Sequence, residues 1–157
     1  MVNLQLITSK NCWVISKLKA DEKFVATNQE SMMEAYAYYV ENGFGPIAYG
    51  VYYNENAVGF VMAEYQNGDR EEDFNNGKPY YFLWRMMIDN SYQGKGYGKE
   101  ALSLLLQEVK KFPNGFADKI FTSVVPENLV ATKFYEGFGF VKTGGVNEGE
   151  EIMELEI

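Results

Sequence analysis

The sequence predicts a mixed α/β fold, a single domain over residues 1–157 built on a central, twisted, mostly antiparallel sheet with one parallel βαβ unit and flanking helices. Three observations carry this. Strand-like runs alternate with helix-like periods along the whole chain. Tyr80–Ile88, a glycine loop, the helical repeat Leu102, Leu105, Leu106, Val109 and the strand Ile120–Val125 follow one another, an order that places two parallel strands around a right-handed crossover. Strand pairs joined by short turns lie on either side of that unit. With 157 residues, 46% apolar and 16% aromatic, the chain has enough buriable surface for one core, which excludes disordered and fibrous classes.

Each element has its own signal. Leu4–Ile7 alternates as a first strand, and Trp13, Val14 and Leu18 give Cys12–Leu18 the spacing of a short helix. Two capping boxes, Thr27-Asn-Gln-Glu30 and Ser31-Met-Met-Glu34, compete to start the next helix, which runs through Val40 and stops at Asn42-Gly43. Ile47–Tyr53 and Ala57–Tyr65 form a hairpin around Asn54-Glu55-Asn56. Residues 66–78 read as a polar loop carrying the acidic run Glu71-Glu72-Asp73, a pattern that suits a solvated surface. Phe112-Pro113-Asn114-Gly115 ends the crossover helix, Leu129–Glu136 is a further short helix, and Phe138–Thr143 and Glu150–Ile157 are the last two strands.

Charge and composition restrict the function. Fourteen Lys and Arg against 22 Asp and Glu leave −8, a field that repels nucleic acid and anionic membrane and attracts a basic small molecule or peptide. Histidine is absent and Cys12 is the single cysteine, so zinc-finger spacings, Cys–His pairs and Ser-His-Asp triads are excluded and no metal cluster is expected. Proton transfer falls to carboxylates, Tyr or Lys. Cys12, with no basic partner nearby in sequence, reads as a small buried hydrophobe. No basic segment precedes an apolar run at the N-terminus and no eighteen apolar residues are consecutive, so the expectation is a soluble, cytoplasmic protein.

Gln93-Gly94-Lys95-Gly96-Tyr97-Gly98-Lys99 stands between a buried strand and a helix. Glycines there let a ligand approach the backbone, and the first N–H groups of the helix can bind phosphate. Neither the P-loop spacing nor the dinucleotide spacing G-x-G-x-x-G fits, and a tight turn without a ligand is the alternative. Asn128-x-x-Ala131-x-x-Phe134-Tyr135, followed by Gly137-Phe138-Gly139-Phe140, comes thirty residues beyond Gly98. Together with the end of the preceding strand, Met87-Ile88-Asp89, these two motifs resemble the GCN5-related N-acetyltransferase (GNAT) family over residues 47–143. More weakly, Phe24-Val25-Ala26 with Ser31, Glu34, Ala35 and Tyr36 is similar to the N-terminal helices of bacterial polyamine acetyltransferases in that family.

The resemblance implies direct transfer of acetyl from acetyl-CoA to a primary amine, a spermidine or spermine foremost, in a possible homodimer. A protein N-terminus, a lysine or an aminoglycoside is the alternative acceptor, and a non-catalytic CoA-binding domain the alternative class. It implies that residues 93–99 hold the CoA pyrophosphate, that the backbone of Met87 and Ile88 binds pantetheine and polarises the thioester, that Asn128 holds the pantetheine arm, and that Tyr135 protonates the leaving thiolate as general acid. Without the motif, Tyr135 would read as core. Glu34 is a candidate substrate contact, though a capping role suits it equally, and Tyr36, Tyr38, Tyr39, Met32 and Met33 could line an amine groove or simply pack. Trp84 and Ser123 stand where some relatives carry a catalytic glutamate, so the general base is unassigned among Glu64, Asp89, Glu127 and water.

Overall fold

The computed structural model describes residues 1–157 other than 22, 25, 44 and 69–72. The strands are β1 Val2–Leu6, β2 Ile47–Tyr53, β3 Asn56–Gln66, β4 Tyr80–Ile88, β5 Lys119–Val124, β6 Val141–Asn147 and β7 Glu150–Glu156, and the helices are α1 Cys12–Ile15, α2 Asn28–Asn42, α3 Tyr97–Val109 and α4 Leu129–Glu136. All seven strands join one sheet in the order β1-β2-β3-β4-β5-β7-β6. Only β4 and β5 pair in parallel, and α3 is the crossover between them, as the order of sequence signals requires.

Alternation along the strands divides the interior into two layers. Val61 and Ala63 of β3 meet Ala101, Leu102, Leu105 and Val109 of α3 and Tyr135 of α4 on one face. Phe60 and Met62 pack with Ile15 of α1 and with Met32 and Ala35 of α2 on the other. Burying each large aliphatic side chain contributes roughly 1.5–3 kcal/mol, so the α3 stripe alone is enough to hold that helix on the sheet. Tyr80, Phe121 and Ile152 form a third cluster, against which Phe74 and Phe82 pack.

Four details differ from the sequence reading. Of the two capping boxes, the first forms: the Thr27 side chain accepts from the Glu30 N–H, and Glu30 returns a bond to the Thr27 N–H. The Ser31 box does not, because Ser31 is buried and its Oγ donates to the Thr27 carbonyl at 3.0 Å. The last hairpin starts at Val141 rather than Phe138, since the N–H groups of residues 138, 139 and 140 bond to the end carbonyls of α4 and are lost to the ladder. Helix α1 stops at Ile15, and Cys12 is half-buried rather than buried. Gly43, at φ 75°, ends α2 in the left-handed conformation.

Residues 71 and 72 of the acidic run, and Val25, lie outside the described residues. Asp73 braces its own loop, accepting from the N–H groups of Asn75 at 2.8 Å and of Gly77. Among the described residues no helix is long and apolar enough to cross a membrane.

Candidate active site

The site begins with a defect in the sheet. β4 and β5 pair only from Tyr81–Leu83 against Ile120–Thr122, although β4 continues to Ile88 and β5 to Val124. A bulge accompanies the parting: Met62 of β3 faces Arg85 and Ala63 faces Leu83, so Trp84 is the extra residue on β4. Where the ladder stops, a cavity of ≈ 310 Å³ opens, lined by residues 83–86 of one strand and 122–125 of the other. An extended chain fits such a wedge, because it can take up the strand hydrogen bonds that the two edges no longer exchange.

The glycine loop stands at the far end of β4. Gly96 is the N-cap of the thirteen-residue α3 with φ 85°, and it offers no side-chain cap to the first turn. A Cβ built on Gly94 or Gly96 meets nothing within 4 Å, whereas at Gly98 it would touch Ile88, Met86 and Phe134 at 3.7–3.8 Å. The first two glycines therefore border open space in front of a helix N-terminus, a place suited to phosphate, and the third packs the helix against β4 and α4. The loop is braced from within. Gln93 Nε2 donates to the Ile88 carbonyl at 3.0 Å, and Lys95 Nζ donates to the Ser91 carbonyl at 3.3 Å over the Tyr92 ring. Tyr97 stacks on Tyr53 with centroids 4.6 Å apart, and Lys99 is exposed.

Asp89 fixes the junction of strand and loop. Its carboxylate accepts from the N–H groups of Lys19 and Ser91, each at 2.9 Å. Partial burial disfavours its charge, but these bonds outweigh that and hold the carboxyl below the usual range. A carboxylate so engaged is structural. Glu127 is exposed and does not line the wedge.

Asn128 and Tyr135 both line the wedge. Asn128 caps α4, its side chain accepting from the Ala131 N–H at 3.1 Å. Tyr135 projects from the same helix into the apolar layer beneath the sheet, where burial pushes its phenol up to about 12 despite a hydrogen bond with the Thr122 side chain. It stays protonated at any pH at which the protein works. Met87 and Ile88 lie just beyond the wedge lining; the Met87 side chain is buried in the opposite layer, where its sulfur accepts from Asn28 Nδ2 at 3.8 Å.

A second cavity of ≈ 380 Å³ adjoins the first, with Trp84, Arg85, Ser123 and Glu150 lining both. Its remaining walls carry the carboxylates Glu64 and Glu148, the rings of Tyr38, Phe74, Tyr80 and Phe82, and the amides of Gln66 and Asn147. Among the described residues Arg85 is the one cation on this lining, and its charge is already engaged. Its guanidinium donates to Ser31 Oγ, to the Trp84 carbonyl and to Glu34 Oε2, at 3.2, 3.0 and 3.2 Å.

Of the residues singled out in the sequence, Asn128 and Tyr135 line the wedge, whereas residues 93–99 lie beyond the end of β4 and line neither cavity. Glu34 lines neither cavity and instead pairs with Arg85. Tyr38 reaches the second cavity, while Tyr36, Tyr39 and Met33 are exposed and Met32 packs in the core. Missed were Lys23, Arg85, Glu148 and Glu150. A charge inside the apolar run 80–88 was the available signal for Arg85; Glu150 depends on strand register, which no local pattern carries. Among the described residues no group of three or more His, Cys, Asp or Glu is arranged to hold a metal ion.

A splayed parallel pair, a glycine loop at a helix N-terminus and a protonated tyrosine beside the splay make a site with room for an elongated, phosphate-bearing ligand. Comparison with known proteins gives the family. Residues 13–140 match the Acetyltransferase (GNAT) family. The chain is 31% identical over 166 residues to the spermine/spermidine N(1)-acetyltransferase of Bacillus subtilis (strain 168) and to a probable spermine N(1)-acetyltransferase of Bacillus subtilis subsp. natto, with 99% of each chain covered. Solved structures share the fold: the aminoglycoside acetyltransferase AAC(6')-Ib in complex with coenzyme A, at TM-score 0.75 and 21% identity over 99% of this chain and 95% of that one, and Arabidopsis thaliana Naa50 in complex with a bisubstrate analogue, at 0.66 and 20% over 99% of both. The chain belongs to the GNAT family and is an acetyl-CoA-dependent N-acetyltransferase.

Proposed function

We propose that this enzyme acetylates a primary amine of a polyamine of the spermidine or spermine class, with the acceptor lying in the second cavity. The observation that carries the reading is the junction: an acidic, aromatic cavity opens onto the wedge through four shared residues. A polyamine alternates ammonium groups with methylene stretches, and the carboxylates of Glu64, Glu148 and Glu150 beside the rings of Tyr38, Phe74, Tyr80 and Phe82 offer partners for both. The net charge of −8 draws a polycation toward the molecule. The name of the 31% identical relative supports the same acceptor.

In this reading residues 93–99 hold the pyrophosphate, with Lys95 and Lys99 adding positive charge. The free edge of β4 through Met87 and Ile88, with Asn128 opposite, holds the pantetheine arm, and backbone N–H groups there polarise the thioester carbonyl. Tyr135 donates to the thiolate as the C–S bond breaks. A thiol in water has a pKa of about 8.5, so complete transfer from a phenol near 12 is uphill by roughly 5 kcal/mol. Tyr135 therefore acts as a hydrogen-bond donor to the developing charge, and the released thiolate takes its proton from water.

The test is Glu64→Gln, assayed by CoA thiol release with spermidine. Removing one charged contact raises KM for spermidine roughly tenfold, as expected for a hydrogen bond to a charged group, while KM for acetyl-CoA stays the same. Turnover of an aminoglycoside or a peptide amine with little or no turnover of polyamines would replace this acceptor.

A further inference from the structure

We propose that Glu150 is the general base that takes the proton from the acceptor's ammonium group, and that Ser123 is the positioning residue that holds it. On the proposed reading, with the acyl carrier in the wedge and the acceptor in the second cavity, the acetyl group and the amine meet where the two cavities join, and four residues line that junction. Trp84 has no basic group, Arg85 is permanently protonated and bound to Glu34, and a serine hydroxyl is far too weak a base. Glu150 remains. It is half-buried at the start of β7, and Ser123 Oγ of the neighbouring β5 donates to its Oε2.

That bond matters because β5 itself carries no carboxylate at position 123. The adjoining strand supplies one at the same place, two residues before the residue that pairs with Ser123, Ile152. The other carboxylates are worse placed. Glu64 and Glu148 line the acceptor cavity but not the wedge, so they suit the distal ammonium groups, and Asp89 and Glu127 line neither. Tyr135 reaches the wedge but is held protonated and cannot accept. The charged and titratable groups around Glu150 are Arg85 and Tyr80 from β4, Glu64 from β3, Tyr38 from α2, Tyr135 from α4, Glu148 from the β6–β7 turn, and Lys23.

The step balances. An N–H bond of the ammonium breaks, its proton goes to the Glu150 carboxylate, and the freed lone pair forms the N–C bond to the thioester carbonyl. Collapse breaks the C–S bond; the nitrogen loses its second proton to water, and the thiolate, hydrogen-bonded by Tyr135, takes one from water. Glu150 returns its proton to water, so one proton is released per acetyl transferred.

The assay follows kcat/KM against pH for the amine that the wild type acetylates fastest, with Glu150→Gln alongside. Without a base the variant reacts only with amine that arrives neutral, a fraction that rises about tenfold per pH unit below the amine's pKa. The variant is expected to be 10²–10⁴-fold slower near neutrality, and the ratio of wild type to variant to shrink roughly tenfold per unit as pH rises. A ratio independent of pH would make Glu150 a binding or structural group and overturn the proposal, as would a variant within threefold of wild type at neutral pH. Unchanged acetyl-CoA affinity and melting temperature establish that the variant is folded. Ser123→Ala removes the bond that fixes the carboxylate at the junction, so kcat falls while KM for acetyl-CoA holds, and Ser123→Thr, which keeps the hydroxyl, restores it; an unchanged kcat in Ser123→Ala would remove the positioning role. None of this depends on which amine is the natural acceptor, so it can fail while the polyamine reading stands, and the reverse.

Discussion

Replacing Tyr135 by Phe removes one oxygen from the wall of the wedge and nothing else from the packing around Phe140 and α3. With its phenol pushed up to about 12, the wild-type side chain is ionised in only about one molecule in 10⁴ at pH 8, so its O–H is available for the hydrogen bond proposed to the leaving sulfur. Its loss should lower kcat by roughly 10²–10⁴, the range of a positioned acid. The cost in stability is small: one hydrogen bond with Thr122 is lost, Thr122 Oγ1 still donates to the Leu83 carbonyl at 3.1 Å, and the change is about 1 kcal/mol, or roughly 2–4 °C in Tm. The sign of the pH effect follows. The native state keeps a proton that the unfolded chain releases near pH 10, so wild-type stability falls between about pH 10 and 12 by up to roughly 3 kcal/mol, and the Phe variant lacks that fall. Thiol-release kinetics, calorimetric titration with acetyl-CoA and thermal melts at several pH values read out all three quantities. A variant whose kcat stays within threefold of wild type would refute the assignment.

The glycine loop makes a contrast between neighbours. Gly96→Val places a β-branched residue at φ 85°, which costs more than the roughly 1–2 kcal/mol of an ordinary left-handed residue, and puts a side chain into the open space proposed for the phosphates. Its acetyl-CoA affinity should fall more than about tenfold, whereas Gly98→Ala, whose new methyl meets ordinary van der Waals neighbours, should stay within about threefold. Equal effects in titration calorimetry would refute the loop geometry. Asp89→Ala removes the cap that joins Lys19 to residues 89–91 and should cost about 1 kcal/mol in denaturant unfolding near neutrality. Because the folded carboxyl lies below its ordinary value, that contribution is present above about pH 4 and is lost as pH falls through the folded value, so wild type and variant should converge in acid. A difference that persists undiminished at low pH would contradict this.

Much of this fold is written in short-range signals. The hairpin of β2 and β3, the crossover from β4 through α3 to β5, and the helix starts at Thr27 and Asn128 each follow from turn chemistry, periodicity or capping within a few residues. The places of the glycine loop before α3 and of Tyr135 on α4 were legible because glycine spacing and the Asn128–Tyr135 interval lie within single segments. What escaped is what depends on register and on breaks in pairing. Nothing local marks Leu83 as the last residue of the parallel ladder or Trp84 as the bulged one. Glu150 meets Ser123 across 27 residues of chain, through an antiparallel alignment set only when β7 docks on β5. Glu34 illustrates the same limit from the other side. Its spacing suited both a cap and a ligand, and its partner turned out to be an arginine 51 residues away.

The polyamine reading is tested most directly by a competition in one vessel. Limiting acetyl-CoA is given to the enzyme with equimolar spermidine, an aminoglycoside and a peptide bearing a free N-terminus and a lysine, and the acetylated products are counted by mass spectrometry. The acidic, aromatic cavity beside the wedge predicts that mono-acetylated spermidine dominates. Acetyl found chiefly on the drug or the peptide would contradict it.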